Sequence, residues 1–148
     1  MGGFTAINLG LRHPDVYSIV YGLCPGLFDE NGLVKAMRTW DLGFKNAYGA
    51  AFAPNPQKPY PFADVLQLGG SAQDNAIKVK WENGYGNLKG KLAQYLKLPE
   101  QLKAIRIEYA TDDEYGGIPE GCIYFSKLLT EAKIDHDLLE FQGTHKLI

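Results

Sequence analysis

The sequence predicts an α/β fold in which three strands form a parallel sheet. Three β-rich segments of strand length, 16–21, 104–110 and 137–141, alternate with segments of helical periodicity. The order helix, strand, insertion, strand, helix, strand is typical of α/β proteins, whose helical crossovers make the strands parallel. A chain of 148 residues suits one domain, with residues 27–100 as an insertion and its connecting helices.

The first elements are a helix and a strand. Apolar residues recur at helical spacing from Gly3 to Leu11 and predict a helix there. Pro14 ends this helix because the residue before a proline avoids helical backbone. The run from Val16 to Tyr21 is rich in β-forming residues and predicts the first strand.

The insertion is predicted to contain three helices and one extended loop. Helical spacing indicates helices over 33–44, 75–81 and 88–96. Four prolines within 53–61 exclude regular structure from that segment. After the second strand, an apolar stripe predicts a helix over 118–132, with a proline in its first turn.

Composition and charge argue against several classes of partner. The net charge is −2 and no basic stripe is present, so nucleic acid is not an expected partner. No apolar run approaches the roughly 20 residues that a membrane span needs. Nothing at the start of the chain has the pattern of a secretory signal, and a cytoplasmic location is expected.

Cysteines and histidines show no metal-binding pattern. Cys24 and Cys122 match neither a zinc motif nor a disulfide framework. His13, His136 and His145 share no metal-ligand spacing, and His136 is expected to face solvent. We therefore expect no metal ion and no other cofactor.

An acid follows one strand and a histidine follows the next. Asp112 and Asp113 come after the strand that ends at Ala110, and His145 follows the last strand. Loops at the carboxyl ends of neighbouring parallel strands converge, so an aspartate is expected to touch His145. Such a carboxylate fixes the imidazole tautomer and leaves the other ring nitrogen free to act as a base.

The start of the chain matches the second half of a nucleophile elbow, Gly-x-Ser-x-Gly, cut just after the serine. Together with the later acid and histidine, it resembles the α/β-hydrolase superfamily. The resemblance is greatest to the esterase branch with S-formylglutathione hydrolase-like and feruloyl or acetyl xylan esterase-like enzymes. It rests on Met1-Gly2-Gly3-Phe4-Thr5-Ala6, His13-Pro14-Asp15, Trp81-Glu82-Asn83-Gly84, Tyr109-Ala110-Thr111-Asp112-Asp113-Glu114 and Phe141-Gln142-Gly143-Thr144-His145.

The resemblance implies the C-terminal half of an α/β-hydrolase fold, beginning just after the nucleophilic serine. It implies the order Ser, Asp, His, in which Asp113 fits the acid turn better than Asp112 because Ala110 takes its glycine position. Met1 would then donate a backbone N–H to the oxyanion hole, and Gly2 would be the closing glycine of the elbow.

Two further sets of site residues follow. Cys24 comes after the first strand, and a thiolate paired with His145 is a competent substitute for the missing serine. In the resembling family the insertion forms a lid over an acyl or aromatic pocket. Trp40, Tyr48 and Phe52 would bind substrate there, or would simply cover the sheet.

The sequence supports an esterase that hydrolyses short carboxylic esters, with His145 as base and Asp113 orienting it. Its nucleophile would be Cys24, another residue, or a serine from a partner chain. The alternatives are a catalytically silent assembly or binding module and a fragment that works only with its missing half. Because the serine strand of the family is absent, the edge of the first strand is expected to be unpaired and to drive homo-oligomerisation.

Overall fold

The protein folds around a parallel sheet of three strands in the order β1-β2-β3 within residues 1–146, which the computed structural model describes. The strands are β1 Ile19–Leu23, β2 Ala104–Ala110 and β3 Asp137–Phe141. In the register, Ile19 lies opposite Ala104, and Arg106 lies opposite Asp137. The predicted parallel sheet is confirmed.

Helices precede, separate and cover these strands. They are α1 Gly2–Arg12, α2 Gly32–Thr39, α3 Leu42–Phe52, α4 Ala72–Glu82, α5 Leu88–Tyr95 and α6 Ile118–Glu131. Helix α1 packs on β1, and α6 packs on β2 and β3. Because α5 contacts both α1 and α6, these three helices form one layer on one face of the sheet. Within residues 1–146, every helix is too short or too polar to cross a lipid bilayer.

Two glycines allow helices to approach the first strand and the loop after it. A Cβ at Gly10 of α1 would lie 2.0 Å from Cγ1 of Val20 in β1. A Cβ at Gly121 of α6 would lie 1.5 Å from the carbonyl oxygen of Leu27. Neither position has room for a side chain, so glycine at these positions lets α1 pack closely on β1 and α6 pack closely on the loop after β1.

The opposite face of the sheet is open. Ile19 is 65% exposed and Tyr21 is 47% exposed, whereas parallel sheets are normally covered on both faces. Polar contacts occupy part of this face: the Tyr21 hydroxyl donates to Glu108 at 2.7 Å, and Arg106 also donates to Glu108 at 2.7 Å. Within the described residues, β1 has no strand on its outer edge.

The first strand begins later than the sequence predicts. The residues from Val16 onward continue a turn, because the N–H groups of Val16 and Tyr17 both donate to the carbonyl of His13, at 3.0 Å and 2.9 Å. The strand therefore starts at Ile19, and the prediction of strand from Val16 is wrong for its first three residues. The β-propensity of these residues favours a strand, but the N–H groups of Val16 and Tyr17 are bonded within the turn instead.

The helix predicted over 33–44 is two helices. Asp41 has extended backbone and its carboxylate accepts a hydrogen bond from the N–H of Phe44 at 2.8 Å, so it caps a new helix, α3. The break at Trp40 and Asp41 turns the aromatic side chains of the two helices toward one another. The ring centroids of Trp40 and Phe44 are 4.3 Å apart.

Candidate active site

The loops after β2 and β3 meet at the carboxyl edge of the sheet. Nδ1 of His145 lies 2.9 Å from Oδ2 of Asp113, across the 32 positions that separate the two residues. The Asp113 side chain is fully buried, whereas 27% of the His145 side chain is exposed. A buried carboxylate that accepts the Nδ1 proton leaves Nε2 as the basic nitrogen of the imidazole.

Backbone bonds tie the two loops together. The N–H of Tyr115 donates to Oδ1 of Asp113 at 2.9 Å, so both carboxylate oxygens are engaged. The N–H of Asp112 donates to the carbonyl of Gly143 at 2.9 Å. The N–H of His145 donates to Glu114 at 3.0 Å, and hydrogen bonds from backbone N–H groups lower the pKa of the Glu114 carboxyl. Three of these bonds join the two loops and the Tyr115 bond orients the Asp113 carboxylate, so together they set the relative placement of acid and histidine.

The two candidate acids have different positions. Asp112 is exposed and its carboxylate accepts a hydrogen bond from the hydroxyl of Thr111 at 3.1 Å. Asp113 turns inward and reaches the imidazole of His145. The geometry therefore assigns the carboxylate of the pair to Asp113, as its fit to the acid turn indicates.

A cavity of about 190 Å³ opens beside the imidazole of His145. Its wall is mainly aromatic: Tyr115 lies edge-on to His145, with ring centroids 4.8 Å apart, and also edge-on to Trp40 at 5.8 Å. Phe44 and Tyr85 complete the aromatic lining. A mostly apolar cleft next to a base is the usual form of a small-molecule site.

The three aromatic residues predicted to bind substrate do not share this cavity. Trp40 lines it. Tyr48 is 1% exposed, and its hydroxyl accepts a hydrogen bond from the N–H of Tyr85 at 2.7 Å and donates to the carbonyl of Trp81 at 2.9 Å. Phe52 is half-buried and packs on the ring of Tyr48 at 4.6 Å. Tyr48 and Phe52 therefore belong to the core behind the cavity.

The first residues of the chain reach the same place. Met1 lines the cavity together with His145, and it is the N-cap of α1. Gly2 begins that helix, and a Cβ there would meet nothing within 4 Å among the described residues. The close approach expected of the closing glycine occurs one residue later, because a Cβ at Gly3 would lie 2.5 Å from the carbonyl oxygen of Leu23.

The fold also brings Cys24 to the Asp113–His145 pair. One potential metal-ligand atom from each of these three side chains lies within 4.8 Å of the other two. The sequence shows no metal-ligand spacing that would predict this cluster. Cys24 is 4% exposed, and burial, together with the negative charge of Asp113, raises the pKa of its thiol. Since Asp113 and His145 are already hydrogen-bonded to one another, a metal ion would have to replace that bond.

His136 is not on the surface as expected. It is half-buried, with Nε2 at 2.7 Å from the hydroxyl oxygen of Ser126 and Nδ1 at 2.9 Å from the carbonyl oxygen of Ile134. The contact with Ser126 joins α6 to the turn before β3, and the contact with Ile134 lies within that turn. His136 thus fastens a helix to the sheet, and the expectation that it faces solvent is wrong.

Three residues at the site, Glu114, Tyr115 and Tyr85, have no role in the predictions from sequence. Glu114 and Tyr115 directly follow Asp113, so the acid turn itself points to them. Tyr85 comes from a Gly-Tyr-Gly break in the insertion, and only the fold shows its importance. A Cβ at the neighbouring Gly84 would lie 2.1 Å from the Tyr48 hydroxyl, which explains why a small residue precedes Tyr85.

Solved structures of hydrolases resemble this fold. S-formylglutathione hydrolase FrmB from Staphylococcus aureus matches with a TM-score of 0.56 and 14% identity, over 99% of this chain and 45% of that one. A protein assigned as a dipeptidyl aminopeptidase IV from Bacteroides ovatus matches with a TM-score of 0.55 and 16% identity, over 99% of this chain and 15% of that one.

The chain therefore spans less than half the length of these two proteins. No protein-family model matches the sequence, and no curated protein matches it. At this level of identity the likeness concerns the fold. A parallel sheet with acid and histidine loops at its carboxyl edge, matched to two hydrolase structures, shows that this chain has part of an α/β-hydrolase fold.

Proposed function

We propose that this chain carries the acid–base part of a carboxylic-ester hydrolase. The observation that supports the proposal is the 2.9 Å bond between Nδ1 of His145 and the buried carboxylate of Asp113, beside a cavity. This bond fixes both the orientation and the tautomer of the imidazole, and a general base needs both to be fixed. The likeness in fold to FrmB is consistent with this chemistry.

The proposed reaction needs a hydroxyl nucleophile at the cavity. Its oxygen attacks the ester carbonyl carbon while Nε2 of His145 takes its proton. That proton then passes to the alkoxide oxygen as the ester C–O bond breaks, which leaves an acyl intermediate. Water repeats the cycle: Nε2 takes a water proton, hydroxide attacks the acyl carbon, and the proton returns to the nucleophile's oxygen.

Negative charge on the carbonyl oxygen would be stabilised at the start of α1. The first N–H groups of a helix have no partner inside it, and in this chain they belong to the segment that begins with Met1 and Gly2. Met1 lines the cavity that His145 lines. Backbone N–H groups in this place are suited to an oxyanion hole.

The properties of Cys24 oppose its use as the nucleophile. A reactive thiol has a lowered pKa, whereas burial and Asp113 raise the pKa of Cys24. We infer that Cys24 remains protonated at neutral pH and packs against the Asp113–His145 pair. The nucleophile would then be a hydroxyl from outside residues 1–146, placed next to Met1 by a longer or a second chain.

A second function is a silent or complementing fragment. The open face of the sheet and the free edge of β1 favour it, because a covering segment would bury Ile19 and Tyr21. In this case the chain is an assembly module, and hydrolysis needs a partner that supplies the missing strands. Its expected partners are then another copy or a complementary chain, and a cytoplasmic location stays a prediction from sequence.

Hydrolysis of p-nitrophenyl acetate distinguishes these functions. It is measured for the chain alone and together with a polypeptide that supplies a Gly-x-Ser strand. His145→Ala should lower the rate by about 10²–10⁴-fold. His13→Ala is the matched control, because His13 is exposed at the far end of α1. Cys24→Ala should leave the rate unchanged.

The outcomes separate the proposals. A rate that appears only with the added strand and falls in His145→Ala supports an acid–base chain that needs a complementing partner, and it contradicts the silent module. Equal rates for the unaltered chain, His145→Ala and His13→Ala under both conditions would contradict the hydrolase proposal. A rate lost in Cys24→Ala would instead identify the thiol as the nucleophile.

A further inference from the structure

A second cavity, of about 430 Å³, opens at the far end of α1 from His145. It lies between the last turn of α1, the residue that ends α4, and α5. The eleven residues of α1 rise about 16 Å between Met1, which lines the cavity beside His145, and this second cavity. Among the described residues the two cavities have separate linings, so they are separate places in the fold.

The lining of this second cavity combines two cations with four amide side chains, and within residues 1–146 it includes no carboxylate. These six side chains are Arg12, Lys91, Asn8, Asn83, Asn87 and Gln94. Lys91 is half-buried, and its ammonium group donates to the backbone carbonyls of Glu82, at 3.3 Å, and Gly86. Arg12 is exposed, and its guanidinium has no ion-pair partner in the same part of the chain.

Two positive charges therefore lie near one another, and one of them is partly removed from water. Burial and, to a lesser extent, the charge of Arg12 lower the pKa of the Lys91 ammonium group to about 8. The charge of Glu82 acts in the opposite direction, but its carboxylate is already paired with Lys78 at 3.6 Å. Desolvation and a neighbouring like charge both disfavour a cation, and an anion in the cavity would offset both effects.

We propose that this second cavity binds a hydroxylated organic anion of about the size of a hexose, whose phosphate or carboxylate group lies near Arg12 and Lys91. A guanidinium can bind two oxygens of such a group, and an ammonium adds a point charge. Each amide side chain both donates and accepts, so the four amides suit the hydroxyl groups of the ligand.

The size of the cavity fits this class of ligand. A cavity of about 150 Å³ holds one benzene ring, so about 430 Å³ leaves room for a six-membered ring with its substituents. Small-molecule sites commonly have volumes of this order. The proposal does not depend on the hydrolase function, because the anion would bind at the other end of α1 from His145.

Three sugars with the same ring test the proposal without any need for turnover. D-glucose 6-phosphate, D-glucuronate and D-glucose differ only in the group at the last carbon, which is a phosphate, a carboxylate or a neutral hydroxyl. Titration calorimetry at neutral pH and low salt measures their affinities. A hydrogen bond to a charged group changes affinity by about tenfold or more, so at least one of the two anions should bind about tenfold more tightly than glucose.

The ranking of the two anions identifies the preferred group, phosphate or carboxylate. Inorganic phosphate separates the contribution of the hydroxyl groups, because it has the charge without the sugar ring. It should bind more weakly than D-glucose 6-phosphate if the amide side chains hold the ring.

Arg12→Gln removes one of the two cations and should weaken binding of the preferred anion by about tenfold, with little change for glucose. Arg38→Gln is the matched control and should leave both affinities unchanged. Both arginines are exposed in the last turn of a helix, and both changes remove one positive charge, but Arg38 does not line this cavity. Lys91→Met is a second, independent variant and should also weaken binding of the anion.

The side-chain NH₂ signals of asparagines in a ¹⁵N-labelled sample locate the bound anion. The signal of Asn87, assigned with Asn87→Ala, should shift on titration, because this residue lines the cavity. The signal of Asn75, assigned with Asn75→Ala, should stay in place, because Asn75 lies in the first turn of α4 and outside the lining.

Four outcomes would overturn the proposal. Glucose could bind as tightly as both anions, or neither anion could show saturable binding up to its solubility limit. Equal weakening by Arg12→Gln and Arg38→Gln would reduce the effect to a general attraction between charges. A shift of Asn75 without a shift of Asn87 would place the anion elsewhere on the chain.

Discussion

Tyr48 and Tyr85 touch in the core, with ring centroids 5.2 Å apart, yet they should respond in opposite ways to the loss of a hydroxyl group. Both are 1% exposed. Within residues 1–146, Tyr48→Phe leaves the N–H of Tyr85 without an acceptor, whereas the carbonyl of Trp81 keeps a bond from the N–H of Gly84 at 3.0 Å. Tyr85→Phe removes no hydrogen bond.

The magnitudes follow from these contacts. An orphaned buried N–H costs about 1–3 kcal/mol and a lost hydrogen bond about 1 kcal/mol, so Tyr48→Phe should cost about 2–4 kcal/mol. Tyr85→Phe should be neutral or stabilising by up to about 1 kcal/mol, because it deletes an unsatisfied polar group. The two variants should therefore differ by about 2–5 kcal/mol, which for a chain of this size corresponds to roughly 4–20 °C in Tm.

Urea denaturation followed by tryptophan fluorescence measures both variants, with the unfolding midpoint compared at constant m-value. Tyr17→Phe provides the baseline for an exposed tyrosine. If Tyr85→Phe destabilised the chain as much as Tyr48→Phe, the Tyr85 hydroxyl would have a partner in the free protein. The assignment of the Tyr85 hydroxyl as unpaired would then be wrong.

Two further outcomes are expected. Burial lowers the pKa of the Lys91 ammonium group from 10.5 to about 8, so the unfolded state holds this proton more tightly than the folded state. The free energy of unfolding of the unaltered chain, relative to that of Lys91→Met, should therefore be constant below pH 8 and rise between about pH 8 and 10.5. A pH-independent difference in urea midpoint would refute this. The free edge of β1 should cause self-association that Ile19→Lys weakens, and sedimentation that shows a clean monomer at micromolar concentration would contradict it.

Local patterns predicted the elements well wherever the chain makes its own bonds. The strands 104–110 and 137–141 match the structure at both ends. The helix over 33–44 was predicted as one element because apolar spacing continues across it. Spacing does not reveal that Asp41 caps a second helix, since the capping bond depends on a backbone turn at a single residue.

The acid and the histidine could be predicted because parallel strands place their following loops at one edge. This rule needs only the positions of the strands, and it predicts the contact between Asp113 and His145 that the structure shows. The aromatic side chains obey no such rule. Tyr48 and Tyr85 meet across 37 positions of an insertion, and packing alone decides that the Tyr48 hydroxyl is paired while the Tyr85 hydroxyl is not.

The proposed acid–base function depends most directly on the hydrogen bond between Asp113 and His145. ¹⁵N NMR of the imidazole groups measures it, since the chain has three histidines and each tautomer has its own nitrogen shifts. We expect a protonated Nδ1 in both His136, which faces the carbonyl of Ile134, and His145. The low-field proton of His145 should be lost in Asp113→Ala and retained in Asp112→Ala. Identical His145 spectra in the unaltered chain and Asp113→Ala would contradict the account.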